Sequence, residues 1–555
     1  MNDLLRISKV LPFFLLLLSW LLPNHVPPFS TAYQDFLVFF AILFFFGFFS
    51  ISIRMDYRHV IVLLISIIPI LQWFAGGIFF WGDAYLASAY LFFFWCSLAF
   101  SSGASEQRRK KIVSVFFIFL IIGSVLSVWI AARQWLLMYG SIWIVDMPPN
   151  GRPFANIAQP NNLATLLSMG LFGVLYFYEK NKLGRLGSGL LVFLLLFGIA
   201  LTQSRTPWVA LPAMLLYWLF KSRYNFRLTR LGFTGVVVIY AGLVFLLPEL
   251  SSALLLSTAN PYERIQSLER LGLWWQLIHA VLGGPLWGYG WNQVSVAQVY
   301  ISQAYPVPLM TEHSHNILLD ILLWNGPLLG GAIILFLGGW LVRLLWCART
   351  VESLCALMAA CAVIIHGMLE FPLEYAFLLL PVGLLLGVAI AEDSAARIVQ
   401  IPPYFKYAIV CVLAALMLWS WSEYRIVEED HRLMRFETAR IGDIESNQAA
   451  PPVKLFTQVR EFIRFARTPA VEGMSEEDLD WMRKVAHRYP YPPSLFRYSL
   501  ALGLNGHIDE AREQLAILRA LHGDEHYQEA WQSLVSLKWR YPQLQGITRD
   551  RDVSD

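Results

Sequence analysis

The chain has 555 residues, of which 57% are hydrophobic and 15% are charged, and its formal net charge is +3. A soluble chain of this length would form several domains, but this one repeats apolar runs long enough to cross a bilayer, which takes about 20 residues each. With a mean hydropathy of +0.53, the composition excludes an ordinary water-soluble protein, and the small net charge gives no indication of nucleic-acid binding.

Thirteen apolar runs are predicted to be membrane-spanning helices. They are Val10–Leu22, Phe36–Ile53, Val60–Ala75, Tyr85–Phe100, Ile112–Ala132, Leu163–Tyr178, Leu186–Leu201, Pro207–Phe220, Leu231–Leu247, Pro327–Leu345, Leu354–Leu369, Tyr375–Ala391 and Phe405–Trp421. The first run follows Arg6 and Lys9 and so mimics a signal peptide, but no small-x-small cleavage site follows it, and we keep it as a span. The predicted fold class is therefore an all-α polytopic membrane protein.

The distribution of Lys and Arg predicts the topology, because short loops rich in these residues stay on the cytoplasmic side. With the N-terminus inside, 19 Lys and Arg fall on the cytoplasmic side and 5 on the outer side of the membrane domain. An odd number of spans then puts the C-terminal tail outside. The outer arginines, which serve either a specific ligand or a headgroup or carboxylate partner, are Arg133, Arg152, Arg205, Arg264 and Arg270.

All five cysteines lie within or beside predicted spans, so no structural disulfide or cysteine-based metal site is implied in the outer loops or the tail. They are Cys96, Cys347, Cys355, Cys361 and Cys411.

The longest outer segment is predicted to run from Pro248 to Gly326, and long loops of this kind usually serve a function. It contains a helical pattern, "NPYERIQSLERLGLWW", in which Arg264 and Arg270 lie six residues apart, about 120° from one another around the helix. A turn rich in glycine and aromatic residues, "LGGPLWGYGWNQ", follows. The segment ends on "TEHSHNILLD", in which His313 and His315 directly precede an apolar run.

From residue 422 the composition changes to a charged, soluble one, with 18 Lys and Arg against 22 Asp and Glu. A cap of the form Ser475-x-x-Asp478 predicts the start of one helix. A tetratricopeptide-like helix pair is indicated by small residues at Ala501, Gly503, Gly506 and Ala511. Only one such unit is visible, so the tail is predicted to be a helical domain over residues 422–555, either a protein-docking surface or a passive cap. Residues 1–421 form the membrane domain.

The chemistry of the outer face points to a lipid that carries a phosphate or diphosphate. An imidazole can take a proton from a hydroxyl near neutral pH, and Glu312 or Asp320 lies close enough in sequence to orient it. Arginine offers planar donors that fit phosphate oxygens. Two alternatives stay open for His313 and His315. They either face the headgroups as a structural pair, or bind a metal ion with a third ligand such as His279, His366 or Glu370.

Five motifs together resemble the bacterial O-antigen ligase/polymerase-like superfamily, and more narrowly its PglL-type protein O-oligosaccharyltransferases. They are "PFANIAQPNNLATLL", "TQSRTPWV", "ERLGLWW" followed by "GGPLWGYG", "HSHNILLDILLWNG" and "HGMLEFPLEYAFLLLPVGLLLG". The resemblance covers most of the chain from Phe154 to Ala391. The helical tail resembles the additional C-terminal region of the PglL branch, which lipopolysaccharide ligases generally lack.

The resemblance implies an inverting, metal-independent glycosyltransferase without a cofactor, located in the bacterial inner membrane with its site and tail in the periplasm. Its donor would be an oligosaccharide on undecaprenyl diphosphate, and its acceptor a Ser or Thr hydroxyl of an exported, for example pilin-like, protein.

The resemblance also implies roles for individual residues. His315, which is paired with Asn316, corresponds to the base, Gln159 to an essential glutamine, and Arg205 and Arg270 to diphosphate ligands. Tyr375 is a further candidate. The family pattern places a Gly, Thr or Tyr three residues after Gly326, whereas this chain has Leu329 and then Gly330. This shift affects the register of the helix after the motif and leaves the histidine in place.

Three other functions fit parts of the sequence. A ligase that acts on lipid A, or a polymerase that joins glycan repeats, would use the same chemistry on another acceptor. A lipid or polysaccharide transporter would place its charged groups near the midplane and often shows internal repeats. The sequence has no visible repeat between its halves, and its charges lie at the outer interface.

Overall fold

The computed structural model describes residues 2–48, 53–149, 151–157, 159–221, 226–254, 256, 269–393, 399–441 and 449–548. Within these ranges the chain is almost entirely helical, as expected where lipid offers no partner to backbone polar groups. The helices up to the tail are α1 Asn2–Leu21, α2 Ala32–Phe48, α3 Tyr57–Phe74, α4 Trp81–Ser102, α5 Glu106–Trp135, α6 Pro160–Glu179, α7 Arg185–Leu201, α8 Thr206–Lys221, α9 Arg230–Ala253, α10 Glu269–Gly283, α11 Val294–Ile301, α12 Ile317–Cys347, α13 Val351–Gly367, α14 Ala376–Ile390 and α15 Pro403–Ala439.

Each of the thirteen predicted runs overlaps a separate one of these helices, but the run Phe36–Ile53 extends past the end of α2, through residues 49–52 outside the described ranges, and its last residue lies in strand β1 (Ile53–Met55). By length and composition, α3, α4, α5, α9, α12 and α15 can each cross a membrane, and α1, α2, α7, α13 and α14 contain shorter apolar helices. The protein is therefore an all-α polytopic membrane protein.

The contacts between residues group the chain into two compact units. The first comprises Met1–Ser66, Ala89–Gln266 and Leu337–Trp419. The second comprises Ile67–Ser88, Ser267–Phe336 and Ser420–Asp555, so that the segment with the two histidines and the soluble tail belong to the same unit.

In the first unit, a short antiparallel ribbon joins β1 (Ile53–Met55) to β2 (Val399–Ile401). A buried arginine lies beside it: Arg58 donates through Nε to Asp56 at 2.7 Å and through Nη1 to Asp393 at 2.8 Å. Arg343 also binds Asp393, with its Nε and Nη2 at 2.6 and 2.9 Å from the two carboxylate oxygens. Through these pairs, the segment that begins α3 and the segment after α14 are joined to Arg343 on α12.

In the second unit, the tail is built from α16 (Thr457–Arg467), α17 (Glu476–Arg488), α18 (Pro492–Leu504) and α19 (Ile508–Lys538). The predicted cap is confirmed, since Ser475 Oγ accepts from the Asp478 N–H at 3.1 Å. Helix α19 bends at Gly523, whose φ is 82°.

The helix pair indicated by the small residues of the tail is α18 and the first part of α19. Gly506 turns the chain between them with φ at 90°. A Cβ on Gly503 would lie 2.8 Å from side-chain atoms of both Leu544 and Ile547. Small residues are therefore required here for packing and for the turn.

Helix α12 begins at Ile317, ten residues before the span predicted from Pro327. Gly326, with φ at 72° and ψ at 172°, interrupts it and explains why the apolar run and the helix begin at different residues. A Cβ at Gly326 would lie 2.0 Å from the carbonyl oxygen of Leu286, so only glycine fits. The short helical stretch from Ile317 to Asn325 thus joins the histidine motif to the membrane helix.

Candidate active site

The segment that carries the two histidines is held by hydrogen bonds to its own backbone. Asn316 caps α12, because its Oδ1 accepts from the N–H groups of Leu318 and Leu319 at 3.0 and 3.3 Å. Ser314 Oγ donates to the Asn316 carbonyl at 2.8 Å, and Asp320 accepts from the Ser314 N–H, also at 2.8 Å. The polar residues on both sides of position 315 therefore fix its backbone.

His315 has φ at 58°, in the left-handed region. Residues other than glycine are uncommon there, although histidine is among the more tolerant ones. Such a conformation costs on the order of 1–3 kcal/mol and is found most often at functional sites. Together with the hydrogen bonds of the flanking residues, it shows that the fold holds the backbone of His315 in one defined conformation.

His313 lies in a different environment from His315, although it is only two residues away. Burial lowers the pKa of its imidazole to about 4; the negative charge of Glu312 opposes this effect, and the positive charge of Arg488 adds to it. His313 is therefore neutral at physiological pH.

Glu312, one of the two acids that the sequence suggested as a partner of an imidazole, is bound by the tail. Tyr491 OH donates to Glu312 Oε1 at 2.7 Å, and Arg488 Nη1 lies 3.5 Å from Glu312 Oε2. Burial raises the pKa of Glu312, but Arg488 and Tyr491 outweigh burial and hold its pKa below the ordinary value. Asp320, the other suggested partner, binds the backbone of Ser314.

Arg488 and Tyr491 were not identified from the sequence, since they lie more than 170 residues from the motif they bind. The other partner of Arg488 is Asp83, at 3.0 Å from Nη2 and at 3.2 and 3.3 Å from Nε. A signal that could have drawn attention to Arg488 is its place at the end of a helix, directly before the aromatic residues Tyr489 and Tyr491, but this pattern is not specific.

Helix α10 also contacts the motif. Trp274 Nε1 donates to the carbonyl of Ser314 at 2.8 Å. Arg270 is half-buried and lies four residues, about one turn, before Trp274 on the same side of the helix. Helix α10, which carries the predicted Arg270, thus contacts the segment that carries the predicted His315. Arg264 falls outside the described residues.

Two buried glutamines join α10 and α11 to the start of the motif. Gln276 Nε2 donates to the Tyr305 carbonyl at 2.5 Å, and Gln298 Nε2 donates to Gln276 Oε1 at 3.0 Å. Gln298 Oε1 in turn accepts from the N–H of Thr311 at 3.0 Å. Because both amides are buried and paired, they position the segment from residue 305 to residue 311 without exposing polar atoms to lipid.

In the first unit, the predicted Gln159 caps α6: its Oε1 accepts from the Asn162 N–H at 2.6 Å. Pro160 follows at the first helical position, which suits a helix start. Two contacts join α6 to the end of α13, since Asn161 Nδ2 donates to Glu370 at 3.2 Å and Thr165 Oγ1 lies 2.9 Å from His366 Nδ1. The "AQPNN" and "HGMLEFPLEY" motifs are therefore neighbours in space.

Tyr375 stands at the start of α14, after a short 3-10 turn, Pro372–Glu374. The buried carboxylate of Asp35 accepts from the N–H of Ala376 at 2.8 Å and from Tyr90 OH at 2.9 Å, so it fixes the backbone next to Tyr375. Sequence reasoning did not identify Asp35.

Arg205 lies at the other motif of the first unit and is exposed, immediately before α8. The turn that precedes it has Gln203 in the left-handed region with φ at 49°, and Ser204 N donates to Thr202 Oγ1 at 3.2 Å. Arg152 Nη1 donates to the carbonyl of Gln203 at 3.3 Å, so two of the five arginines predicted to lie on the outer side are near one turn.

The suggested third ligands for a metal ion have other neighbours. His279 stacks on Tyr305 with ring centroids 4.0 Å apart, and His366 lies against Thr165 as described above. Among the residues that the structure describes, no group of three or more His, Cys, Asp or Glu is arranged to hold a metal ion.

Two family models match the chain. Residues 190–335 match the one described as O-antigen ligase, and residues 354–536 match the one described as virulence factor membrane-bound polymerase, C-terminal. The first match includes Arg205, Arg270 and His315, and the second includes Glu370, Tyr375 and most of the tail.

Two relatives from Acinetobacter baylyi are similar to the chain. It is 31% identical over 529 residues to a general O-oligosaccharyltransferase, with 92% of each chain covered. It is 29% identical over 388 residues to a ComP-specific O-oligosaccharyltransferase, with 66% of this chain and 68% of the relative covered. The similarity to the general enzyme includes both compact units and every motif described above. The chain therefore belongs to the PglL-type family of bacterial protein O-oligosaccharyltransferases, which are membrane glycosyltransferases of the O-antigen ligase superfamily.

Proposed function

We propose that this enzyme transfers a preassembled oligosaccharide from undecaprenyl diphosphate to Ser or Thr hydroxyls of exported proteins, at the periplasmic face of the inner membrane. The observation that carries the proposal is the His315 segment. Ser314, Asn316 and Asp320 all hold backbone groups around one imidazole, and a reacting side chain needs this kind of support.

In the proposed reaction, His315 takes the proton of the acceptor hydroxyl, which is a poor nucleophile near neutral pH. The hydroxyl oxygen forms a bond to the anomeric carbon of the first sugar from the side opposite the diphosphate. The bond from that carbon to the diphosphate oxygen breaks, and the electron pair leaves with undecaprenyl diphosphate. The configuration at the anomeric carbon is inverted.

The diphosphate is already a good leaving group, so the step depends on stabilising negative charge more than on an acid. We assign this role to Arg205 and Arg270, with Arg264 as a further candidate ligand, because guanidinium groups pair with phosphate oxygens through two donors. Gln159 and Tyr375 are proposed to contact the donor or acceptor. Neither a metal ion nor a cofactor is part of this proposal.

For the membrane arrangement, we propose thirteen spans with the N-terminus in the cytoplasm and residues 422–555 in the periplasm as a tetratricopeptide-like domain. The support is the asymmetry of 19 to 5 in Lys and Arg between the two sides. This topology places His315, Arg205 and Arg270 on the side where lipid-linked glycans and exported proteins meet.

A second candidate function is glycan ligation to lipid A or polymerisation of repeat units, and the descriptions of the two matching family models favour it. The chemistry is the same, but the acceptor differs. A lipid A acceptor would already be in the membrane and would gain little from a soluble helical domain, which is why we prefer a protein acceptor.

The acceptor is tested in a bacterial host that makes a lipid-linked glycan, lacks its own O-antigen ligase and expresses a pilin-like substrate. We expect a mass shift equal to the glycan on exported protein, and no glycan on lipopolysaccharide. Modified lipopolysaccharide with bare protein would replace the proposal with the ligase. Longer lipid-linked glycans would indicate the polymerase, and unmodified products with accumulating donor would favour a transporter.

A further inference from the structure

The cluster of charges between the tail and the histidine segment has no role in the function described so far. Arg488 is 8% exposed and Asp83 only 2%. The guanidinium of Arg488 bridges two carboxylates, with Nε and Nη2 on Asp83 and Nη1 on Glu312. Taking Arg488 and Asp83 out of water is costly unless both are paired, and Glu312, whose side chain is 37% exposed, is the partly exposed partner in the cluster.

Both oxygens of Glu312 are bound by the tail. Tyr491 OH donates to Oε1, and Arg488 lies near Oε2. Glu312 is three residues before His315, and the residue between Glu312 and Ser314 is the half-buried His313. The tail therefore holds one end of the short segment whose other end is fixed by the Asn316 cap.

The backbone of the tail contributes a further contact at the same place. Ser295 Oγ, on α11, donates to the carbonyl of Arg488 at 2.8 Å. Helix α11 also carries Gln298, which binds the N–H of Thr311. Arg488 thus contacts Glu312 directly through its side chain, and through its carbonyl it contacts α11, the helix that also binds Thr311.

We infer that Arg488 and Tyr491 are positioning residues for the transfer reaction, and that the tail is part of the catalytic unit in addition to any part it plays in acceptor choice. They act through Glu312 to hold the backbone that presents His315. The inference rests on the proposed role of His315. It differs from both earlier interpretations of the tail, the docking surface and the passive cap, because each of these leaves the chemical step independent of the tail.

The test compares Arg488→Met, Arg488→Lys and Tyr491→Phe with the parent, using full-length enzyme in detergent with lipid-linked donor. Each variant is assayed on a pilin-like protein and on a short serine-containing peptide too small to need a docking surface. Arg467→Met is the matched control. Arg467 is a tail arginine that also bridges two acids, Asp430 at 2.6 Å and Glu437 at 2.8 Å, but these acids lie on α15, outside the motif.

We expect Arg488→Met to lower kcat about 100-fold on both acceptors, since a displacement of about 1 Å at a reacting group has this effect, with KM for the acceptor little changed. Arg488→Lys should recover part of the loss, because one ammonium cannot bridge two carboxylates as a guanidinium does. Arg467→Met should keep the parental kcat.

Tyr491→Phe removes a single hydroxyl, so it is expected to fold even if Arg488→Met does not, and we expect about a tenfold loss in kcat. Combining it with Glu312→Gln should give little further loss, because both changes break the same contact. Parental kcat on the peptide in Tyr491→Phe, or a change confined to KM for the protein acceptor, would overturn the inference in favour of docking. An inactive parent would instead contradict the proposed function itself.

Discussion

Two helix starts carry the central candidate residues, and they are built differently. At α12 the cap is Asn316, and the residue before it, His315, has a strained backbone and no capping duty. At α6 the cap is Gln159 itself, through its bond to the Asn162 N–H. In the proposed mechanism, the first site divides helix capping and chemistry between two neighbouring residues, whereas the second assigns both roles to the side chain of Gln159.

This difference determines what a substitution can reveal. Replacing His315 tests chemistry with little effect on the helix, because the cap remains. Replacing Gln159 by alanine removes a cap worth about 1 kcal/mol as well as any contact with substrate, so a loss of activity there has two explanations. To separate the two explanations, a substitution must keep the helix cap and remove the contact with substrate, or the reverse.

The largest expected effect is at His315. We expect His315→Ala to lower transfer by about 1000-fold or more, within the range for loss of a general base, while the protein inserts and accumulates normally. Alanine is not expected to relieve the strain of the left-handed backbone at position 315. His315→Gly is therefore the control, because glycine adopts this conformation easily and also removes the imidazole. Activity near the parental level in either variant, measured by intact-protein mass spectrometry, would remove His315 from the mechanism.

The second largest loss of activity is expected at Arg205 and Arg270. Arg205→Ala and Arg270→Ala should each lower the transfer rate about 100-fold, because each removes a charge that stabilises the leaving diphosphate. Lys at either position should restore the rate only in part, since it lacks the planar pair of donors. Arg133, an outer arginine that lies 5.3 Å from the ring of Trp129, is the control, and Arg133→Ala should transfer normally.

Parental rates and parental donor affinity in Arg205→Ala or Arg270→Ala would show that the residue in question is a headgroup anchor. Donor affinity is measured with the lipid-linked glycan in detergent, and transfer in the same preparation.

A pair of matched substitutions, each of which keeps the capping oxygen, separates capping from chemistry at the two helix starts. Asn316→Ser keeps a good capping oxygen, and we expect it to retain most of the activity and thermal stability. Gln159→Glu keeps the oxygen that accepts from Asn162 but loses the amide donors, so stability should hold while activity falls at least about tenfold. Full activity of Gln159→Glu would show that Gln159 serves only as a cap.

The smallest effect is expected at His313. Its pKa of about 4 means that it stays neutral over the pH range in which the enzyme works. We therefore expect His313→Asn to lower transfer only modestly and to leave the pH profile unchanged between about pH 5.5 and 8. A shift of the profile in this range, or a loss as complete as that of His315→Ala, would indicate that the two histidines act as a pair.

The sequence by itself determined the membrane class and the places of the helices, because bilayer thickness and the need to satisfy backbone polar groups leave little freedom. Local chemistry was also readable. The Ser475 cap and the helix turn at Gly506 depend on neighbours in sequence or on a backbone angle that few residues adopt. The motifs indicated His315, Gln159, Arg205 and Arg270 because their residue types suit the chemistry and their order fits the family.

Hydropathy placed the start of the membrane-spanning part of α12 at Pro327, directly after the break at Gly326, but it did not predict the short helical stretch from Ile317 to Asn325 that precedes the break. Tertiary structure alone decided which charges meet. Arg488, Asp83 and Glu312 are far apart in sequence, yet they form one cluster in which Arg488 and Asp83 are buried and Glu312 is partly exposed. No local pattern encodes such a pairing, because two distant charges, those of Arg488 and Asp83, leave water together only once the chain has folded.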